Sequence, residues 1–152
     1  MAHVPHTLIR RYYACFNDRR FGDAMELFAP DAILEYPPFS APQRGPACYL
    51  AFAEMWTKAF PDGIVAIEHV EQRGDTICEV DLIANGTHLG DFDLGAYGVL
   101  KATGVRTALR FRELLEIRYG RITFSSLSFG VQELLQQLKG SAAIGDSRTR
   151  RE

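Results

Sequence analysis

In the stretch leading to Gly120, Leu109, Phe111, Glu113, Leu115 and Ile117 alternate with Arg110, Arg112 and Arg118. That period of two places one carboxyl, Glu113, in the middle of an apolar strand face. A carboxyl among leucines and phenylalanine loses hydration, which raises its pKa and suits it to take up and return a proton near neutral pH. Two alternatives stay open for it: a pairing with an arginine, or a bulge that turns it outward in exchange for Arg112. Glu116 falls on the arginine side and is expected in a solvated ion pair. His88 keeps the parity of Cys78, Val80, Leu82 and Ala84, another apolar face. A neutral imidazole there could donate a hydrogen bond or share a proton with Glu113, or else bond a loop carbonyl and fix the loop after Gly90. Tyr12, Tyr13 and Tyr36 supply phenol donors, with Tyr13 the preferred catalytic candidate; each could equally be a core aromatic with a satisfied hydroxyl.

Asp91 and Asp93 lie in a glycine-rich loop, where aspartates either form turns or stand at a pocket mouth. His3, His6 and His69 show no ligand spacing to one another or to Cys15, Cys48 and Cys78, so no metal site is expected. The chain has no GxGxxG, no phosphate loop and no GxSxG elbow, and no cofactor is expected.

These groups need elements to hold them. Leu8, Tyr12, Cys15 and Phe16 recur at helical spacing beside Ile9 and Tyr13, and this first helix stops near Asn17 and Asp18. Asp23 with Glu26 three residues on predicts the start of a short second helix, which Pro30 ends, and Ala32 to Tyr36 reads as a strand. Pro46 opens a third helix carrying Tyr49, Phe52, Ala53, Trp56 and Phe60, a packing stripe first and a cavity wall second. Then come two hairpins, Ile64 to Arg73 with Thr76 to Ala84 around Gly74-Asp75, and Val105 to Arg118 with Arg121 to Phe129 around Tyr119-Gly120. Val131, Leu134, Leu135 and Leu138 suggest a closing helix, and residues 140–152 a disordered tail after a single domain over residues 1–139. Helices followed by long antiparallel strands give an α+β fold, a cone-shaped curved sheet wrapped by N-terminal helices, whose open end makes a pocket. Phe111, Thr123, Ser125, Leu127 and Phe129 fall on faces expected to line it; those of the last strand offer hydroxyls and an aromatic wall but no base.

The 152 residues, 47% apolar and 24% charged, have the length of one soluble domain. With 17 basic against 19 acidic side chains and no basic stripe, there is no footprint for nucleic acid or an anionic membrane. Three cysteines without a CxxC pair point to a reducing cytoplasm, and neither a signal peptide nor a membrane span is expected.

The segments YYACFNDRRFGDAMELFAPDAILEYPP, KAFPDG at 58–63, GTHLGDF at 86–92, Thr103-Gly104, EIRYGRI and QELLQQL at 132–138 together resemble the SnoaL-like polyketide cyclases of the nuclear transport factor 2-like superfamily. The resemblance runs from about residue 8 to 138 and implies a cofactor-independent, often oligomeric protein, a homodimer or larger, acting on a hydrophobic carbonyl compound such as a polyketide. In such cyclases an acid/base residue removes a proton next to a carbonyl and the enolate closes a ring by an intramolecular aldol step. Glu113, seven residues before Gly120, occupies a position where these cyclases carry histidine or aspartate, and His88 matches the histidine of their GTH motif. Leu127 and Gly130 stand where they usually carry acids. In the related ketosteroid isomerases a tyrosine hydroxyl stabilises a dienolate, which fits Glu113 with Tyr13. Rival readings are a non-catalytic member that binds a small molecule or a protein, and an epoxide hydrolase of the limonene type, which requires an Asp-Arg-Asp arrangement.

Overall fold

The computed structural model describes residues 6–37, 41–95 and 98–139. Two helices, α1 (His6–Asn17) and α2 (Phe21–Met25), precede strand β1 (Phe28–Glu35), the short β2 (Gln43–Arg44) and helix α3 (Ala47–Ala59). Strands β3 (Ile64–Gln72), β4 (Ile77–Thr87), β5 (Phe92–Asp93), β6 (Val99–Leu100), β7 (Arg106–Arg118) and β8 (Arg121–Phe129) follow. A final helix, α4, covers residues 131–139. Six strands form one sheet in the order β2-β1-β8-β7-β4-β3, and β5 pairs with β6 separately. All neighbours are antiparallel except β1 and β8, which run parallel. The fold is the expected α+β arrangement, with the helices against the concave face of an open sheet.

Alternation does what the sequence pattern requires. Along β4 and β7 every second side chain is buried: Cys78, Val80, Leu82 and Ala84 on one strand, Leu109, Phe111, Glu113, Leu115 and Ile117 on the other. Tyr12, Tyr13 and Phe16 of α1 and Tyr49, Phe52 and Trp56 of α3 cover this face. The outer face carries exposed ion pairs instead, such as Arg110–Glu68 at 3.0 Å and Arg112–Asp81 at 2.9 Å. Register shifts between Ile67 and His69, Glu116 and Ile117, and Phe28 and Ile33 interrupt the ladders, and such bulges increase local bend and twist.

Tyr119 and Gly120, both at positive φ (53° and 75°), close the β7–β8 hairpin, and the two-residue turn with both centres left-handed matches the right-handed strand twist. Helix α1 is set against the sheet by Asn17, whose amide donates to the Val65 carbonyl at 2.9 Å and accepts from the Val65 N–H at 2.8 Å. That clasp acts like an extra strand residue on β3. On the far side, Gln137 of α4 holds both backbone groups of Ala108, at 3.1 and 2.8 Å, on the edge of β7 that β8 no longer covers.

Three expectations need correction. The second helix starts at Phe21 rather than Asp23, has no side-chain cap, and its Asp23 bonds Arg20 at 2.7 Å instead. Pro30 does not end that helix but lies inside β1, which begins at Phe28 rather than Ala32; it sits between Phe28 and Ile33, where the ladder to β8 is already broken and no N–H is needed. Strand β4 runs on to Thr87, three residues past the expected Ala84. The predicted tail, residues 140–152, lies outside the described residues.

Candidate functional site

Glu113 sits mid-strand in β7, opposite Val80 of β4 and Leu127 of β8, so both neighbouring strands fix its backbone and its side chain points to the concave face. It is 2% exposed. Four hydroxyls converge on it. Tyr13 donates to Oε1 at 2.8 Å, while Tyr12 at 2.8 Å and Tyr36 at 3.0 Å donate to Oε2, which Ser125 also bonds in a close contact. The Tyr12 and Tyr36 hydroxyls touch each other at 2.8 Å, and Ser125 reaches Tyr36 at 3.2 Å. Adjacent positions on α1 let Tyr12 and Tyr13 straddle the carboxyl, one to each oxygen, with ring centroids 4.8 Å apart.

Burial without a cation partner pushes the Glu113 pKa above the ordinary carboxylate range, and the bonds from Ser125, Tyr12, Tyr13 and Tyr36 pull it part of the way back. The phenols of Tyr12, Tyr13 and Tyr36 are pushed well upward, chiefly by burial and next by the Glu113 charge, so they remain neutral donors. The Cys78 thiol on the same face is pushed up to about 11 by burial and Glu113, which keeps it protonated.

Beside this cluster lies a cavity of about 50 Å³ bounded by Tyr12, Tyr13, Phe16, Tyr36, Tyr49, Phe52, Trp56, Val65, Leu82, Ala84, Phe111, Glu113 and Leu127. Among the described residues its only charged side chain is Glu113. One water needs roughly 10–15 Å³ of such space, so the cavity has room for a few waters. Trp56 anchors that wall: Phe111 meets its ring edge-on at 5.1 Å and Phe129 at 5.7 Å, and Phe129 lies on Phe111 at 4.7 Å. Of the residues expected in the pocket, Tyr12, Tyr36, Trp56, Phe111 and Leu127 bound the cavity, and Phe129 backs it from half-buried ground at the end of β8.

His88 is not brought to Glu113. It lies one residue past the end of β4, fully buried, and three rings in series, Trp56 stacked on Phe60 at 4.7 Å and Phe60 tilted against His88 at 5.5 Å, put Phe60 between it and the cavity wall. Its Nδ1 accepts the Thr103 N–H at 3.2 Å and lies 2.9 Å from the Thr103 hydroxyl. Its Nε2 makes no hydrogen bond of good geometry to the described residues, although the backbone of Leu100 and Gly90 is near enough to draw its pKa upward. Burial wins, and the His88 pKa is lowered. Parity alone could not foresee this: past Thr87 the chain leaves the sheet, and the Leu89 and Gly90 N–H groups cap the Ala59 carbonyl at the end of α3. A Cβ on Gly90 would lie 2.0 Å from the Lys58 carbonyl oxygen, so that approach requires glycine.

Asp91 is likewise outside the cavity. It accepts the Ala102 N–H at 3.2 Å and pairs with Lys101 at 3.3 Å, bonds that lower its pKa, and it borders a separate surface hollow with Asp93 and Lys58. Glu116 is the solvated acid expected, bonded by Thr123 at 2.7 Å and Arg118 at 3.2 Å. Ser125 had no role in the sequence reading beyond a hydroxyl on its strand face; the bulge between Glu116 and Ile117 aligns it with Leu115, diagonal to Glu113. Among the described residues no cluster of His, Cys, Asp and Glu could hold a metal, and no helix is long and apolar enough to cross a membrane.

The pattern of the family described as SnoaL-like polyketide cyclase matches residues 6–138. Among solved structures, IdmH of Streptomyces antibioticus, named as a candidate polyketide cyclase, is 26% identical with a TM-score of 0.75, over 90% of this chain and 99% of that one. AclR of Streptomyces galilaeus, named as a candidate hydroxylase, is 20% identical with a TM-score of 0.74, over 89% and 95%. TsrD of Streptomyces laurentii is 19% identical with a TM-score of 0.73, over 88% and 92%. These likenesses carry the nuclear transport factor 2-like fold. No curated protein matches the sequence.

Proposed function

Because this chain belongs to the SnoaL-like polyketide cyclase family, we propose that it performs cofactor-independent enolate chemistry on an uncharged, hydrophobic carbonyl compound, closing a ring by intramolecular aldol addition or moving a double bond. The observation that carries this reading is a buried carboxyl, Glu113, held by four hydroxyls at the wall of an apolar cavity.

The ionised Glu113 takes a proton from the carbon beside a substrate carbonyl. The C–H electron pair moves toward the carbonyl oxygen as the enolate forms, and a hydroxyl of Tyr12, Tyr13 or Tyr36, released from Glu113 as the carboxylate takes the proton and loses its charge, donates its one hydrogen bond to the developing charge. The enolate carbon then attacks a second carbonyl of the same molecule, and the alkoxide formed takes its proton from Glu113. In the isomerase variant the proton returns to a different carbon. Neither route needs an oxidant or a co-reactant, and Glu113 ends as it began. A raised pKa suits both halves of this cycle, since the group must accept and release the same proton.

Leu127, opposite Glu113 where the family usually places an acid, leaves Glu113 as the sole carboxyl at the cavity among the described residues. Among the described residues the cavity lining holds no arginine and no aspartate, which argues against epoxide hydrolysis. The tight wall of Trp56 and Phe111 favours, as a second reading, a protein that binds a small molecule without transforming it. One experiment separates the two. With aromatic β-keto esters as probes in deuterated buffer, the enzyme reading expects exchange of the α-proton above background, lost in Glu113→Gln; binding with no exchange supports the second reading and overturns the first.

A further inference from the structure

The two oxygens of Glu113 are not equivalent. Oε2 is approached by Tyr12, Tyr36 and Ser125, whereas among the described residues Oε1 has Tyr13 alone. A carboxylate oxygen accepts about two hydrogen bonds in good directions. Even when Tyr12 and Tyr36, 2.8 Å apart, turn one proton toward each other, Oε2 keeps two donors and is filled. Oε1 keeps one acceptor direction open.

Ser125 differs from the tyrosines in its place. It is fully buried and approaches Glu113 from β8, yet it is absent from the cavity boundary that Tyr12, Tyr13, Tyr36 and Glu113 share. It therefore contacts the carboxyl without bordering the cavity. We infer that Ser125 is a positioning residue that anchors Oε2 of Glu113 and so leaves Oε1 as the oxygen that exchanges protons with a bound substrate. This rests on the proposed enolate chemistry for its use, but the anchoring itself can be read without any substrate.

Every titratable group packed around Glu113 is neutral in this arrangement: Tyr12 and Tyr13 from α1, Tyr36 after β1, Tyr49 from α3 and Cys78 from β4. With no cation to compensate, each hydroxyl bonded to the carboxylate favours its charged form, and loss of one raises the midpoint at which Glu113 titrates. A serine that merely fills space would not have this effect.

The test is a carbon-13 NMR titration of the Glu113 carboxyl in the full chain, with Glu113→Gln to assign the signal, for wild type, Ser125→Ala and Ser125→Cys. The expected result is an upward shift of the midpoint by about one unit in Ser125→Ala and a smaller one in Ser125→Cys, whose thiol is a weak donor of nearly the same size. With an aromatic β-keto ester as probe, kcat for exchange should fall about tenfold at neutral pH while KM holds. An unmoved midpoint in folded Ser125→Ala, or a kcat loss matched by a KM rise, overturns the inference. A shifted midpoint in a protein that exchanges no probe even as wild type upholds the anchoring of Oε2 and overturns the proposed function instead.

Discussion

Glu113 and His88 look alike in the sequence and end differently in the fold. Both keep inner-face parity on neighbouring strands, and both are buried, at 2% and 0% exposure. Around Glu113 the partners are side-chain hydroxyls from α1, from the residue after β1 and from β8, and there is space next to them. Around His88 the partners are Thr103 and backbone, and its ring lies 5.5 Å from that of Phe60, which in turn meets Phe92 edge-on at 5.7 Å. The His88 N–H and carbonyl are also engaged, with Val105 and Gly104, at 2.9 and 2.8 Å. A buried titratable group marks a reactive site where its partners are exchangeable and a ligand has room; where its partners are backbone it is a latch that pins a loop.

The largest effect is expected in Glu113→Gln. Removal of a general base costs on the order of 10²–10⁴ in turnover, so proton exchange on a β-keto ester probe should fall by that much. The melting temperature should hold or rise, because a neutral amide replaces an acid that burial penalises. His88→Ala should do the reverse. Losing a buried side chain together with its bonds to Thr103 should cost about 2–3 kcal/mol of unfolding free energy, measured by urea denaturation, while exchange per folded molecule stays within about twofold. A loss of exchange in His88→Ala at full occupancy of the folded state would put the two residues in one machine after all.

Both fates follow from features that sequence periodicity reads unequally. Period two along β7 locates Glu113 correctly because that strand is long, continuous and paired on both sides. The same rule carried to His88 fails because pairing of β4 stops at Thr87, with Arg106 as its last partner, and the chain turns onto the end of α3. That turn depends on the bare Gly90 backbone meeting the Lys58 carbonyl, a contact between residues distant in sequence. Helical spacing finds the tyrosines of α1 but not that consecutive Tyr12 and Tyr13 grip opposite oxygens of one carboxyl. Ser125 is legible as an inward hydroxyl; its reach to Glu113 depends on the bulge at Glu116 and Ile117, which leaves no signature in residue type.

The two sites should also tilt stability in opposite directions with pH. Glu113 has its native pKa raised above the unfolded value, so its contribution is greatest below the unfolded midpoint, near 4.5, and is lost as pH rises through the native midpoint. His88 has its native pKa lowered from 6.5, so its contribution is present above that value and is lost as pH falls through the native midpoint. Between the two midpoints of either group the slope is about 1.4 kcal/mol per pH unit. Urea melts across pH 4 to 9 should show that Glu113→Gln removes the loss on the rising side and His88→Gln removes the loss on the falling side. A wild-type profile unchanged by both variants would mean that neither group is shielded as its burial requires.

The smallest effect is expected at Asp91, which tests how separate the two regions are. Its carboxylate is exposed and screened, and its bonds to Ala102 and Lys101 lie on the His88 side of the Trp56–Phe60 stack. Its charge draws the His88 pKa upward, whereas the Glu113 pKa is set by burial and by the hydroxyls of Ser125, Tyr12, Tyr13 and Tyr36. Asp91→Asn should therefore lower the His88 midpoint slightly in an NMR titration, leave the Glu113 midpoint and the exchange rate where they are, and leave the melting temperature within experimental scatter. If exchange instead changes with KM in Asp91→Asn, this loop controls access to the cavity, and the latch at His88 is part of the route by which substrate reaches Glu113.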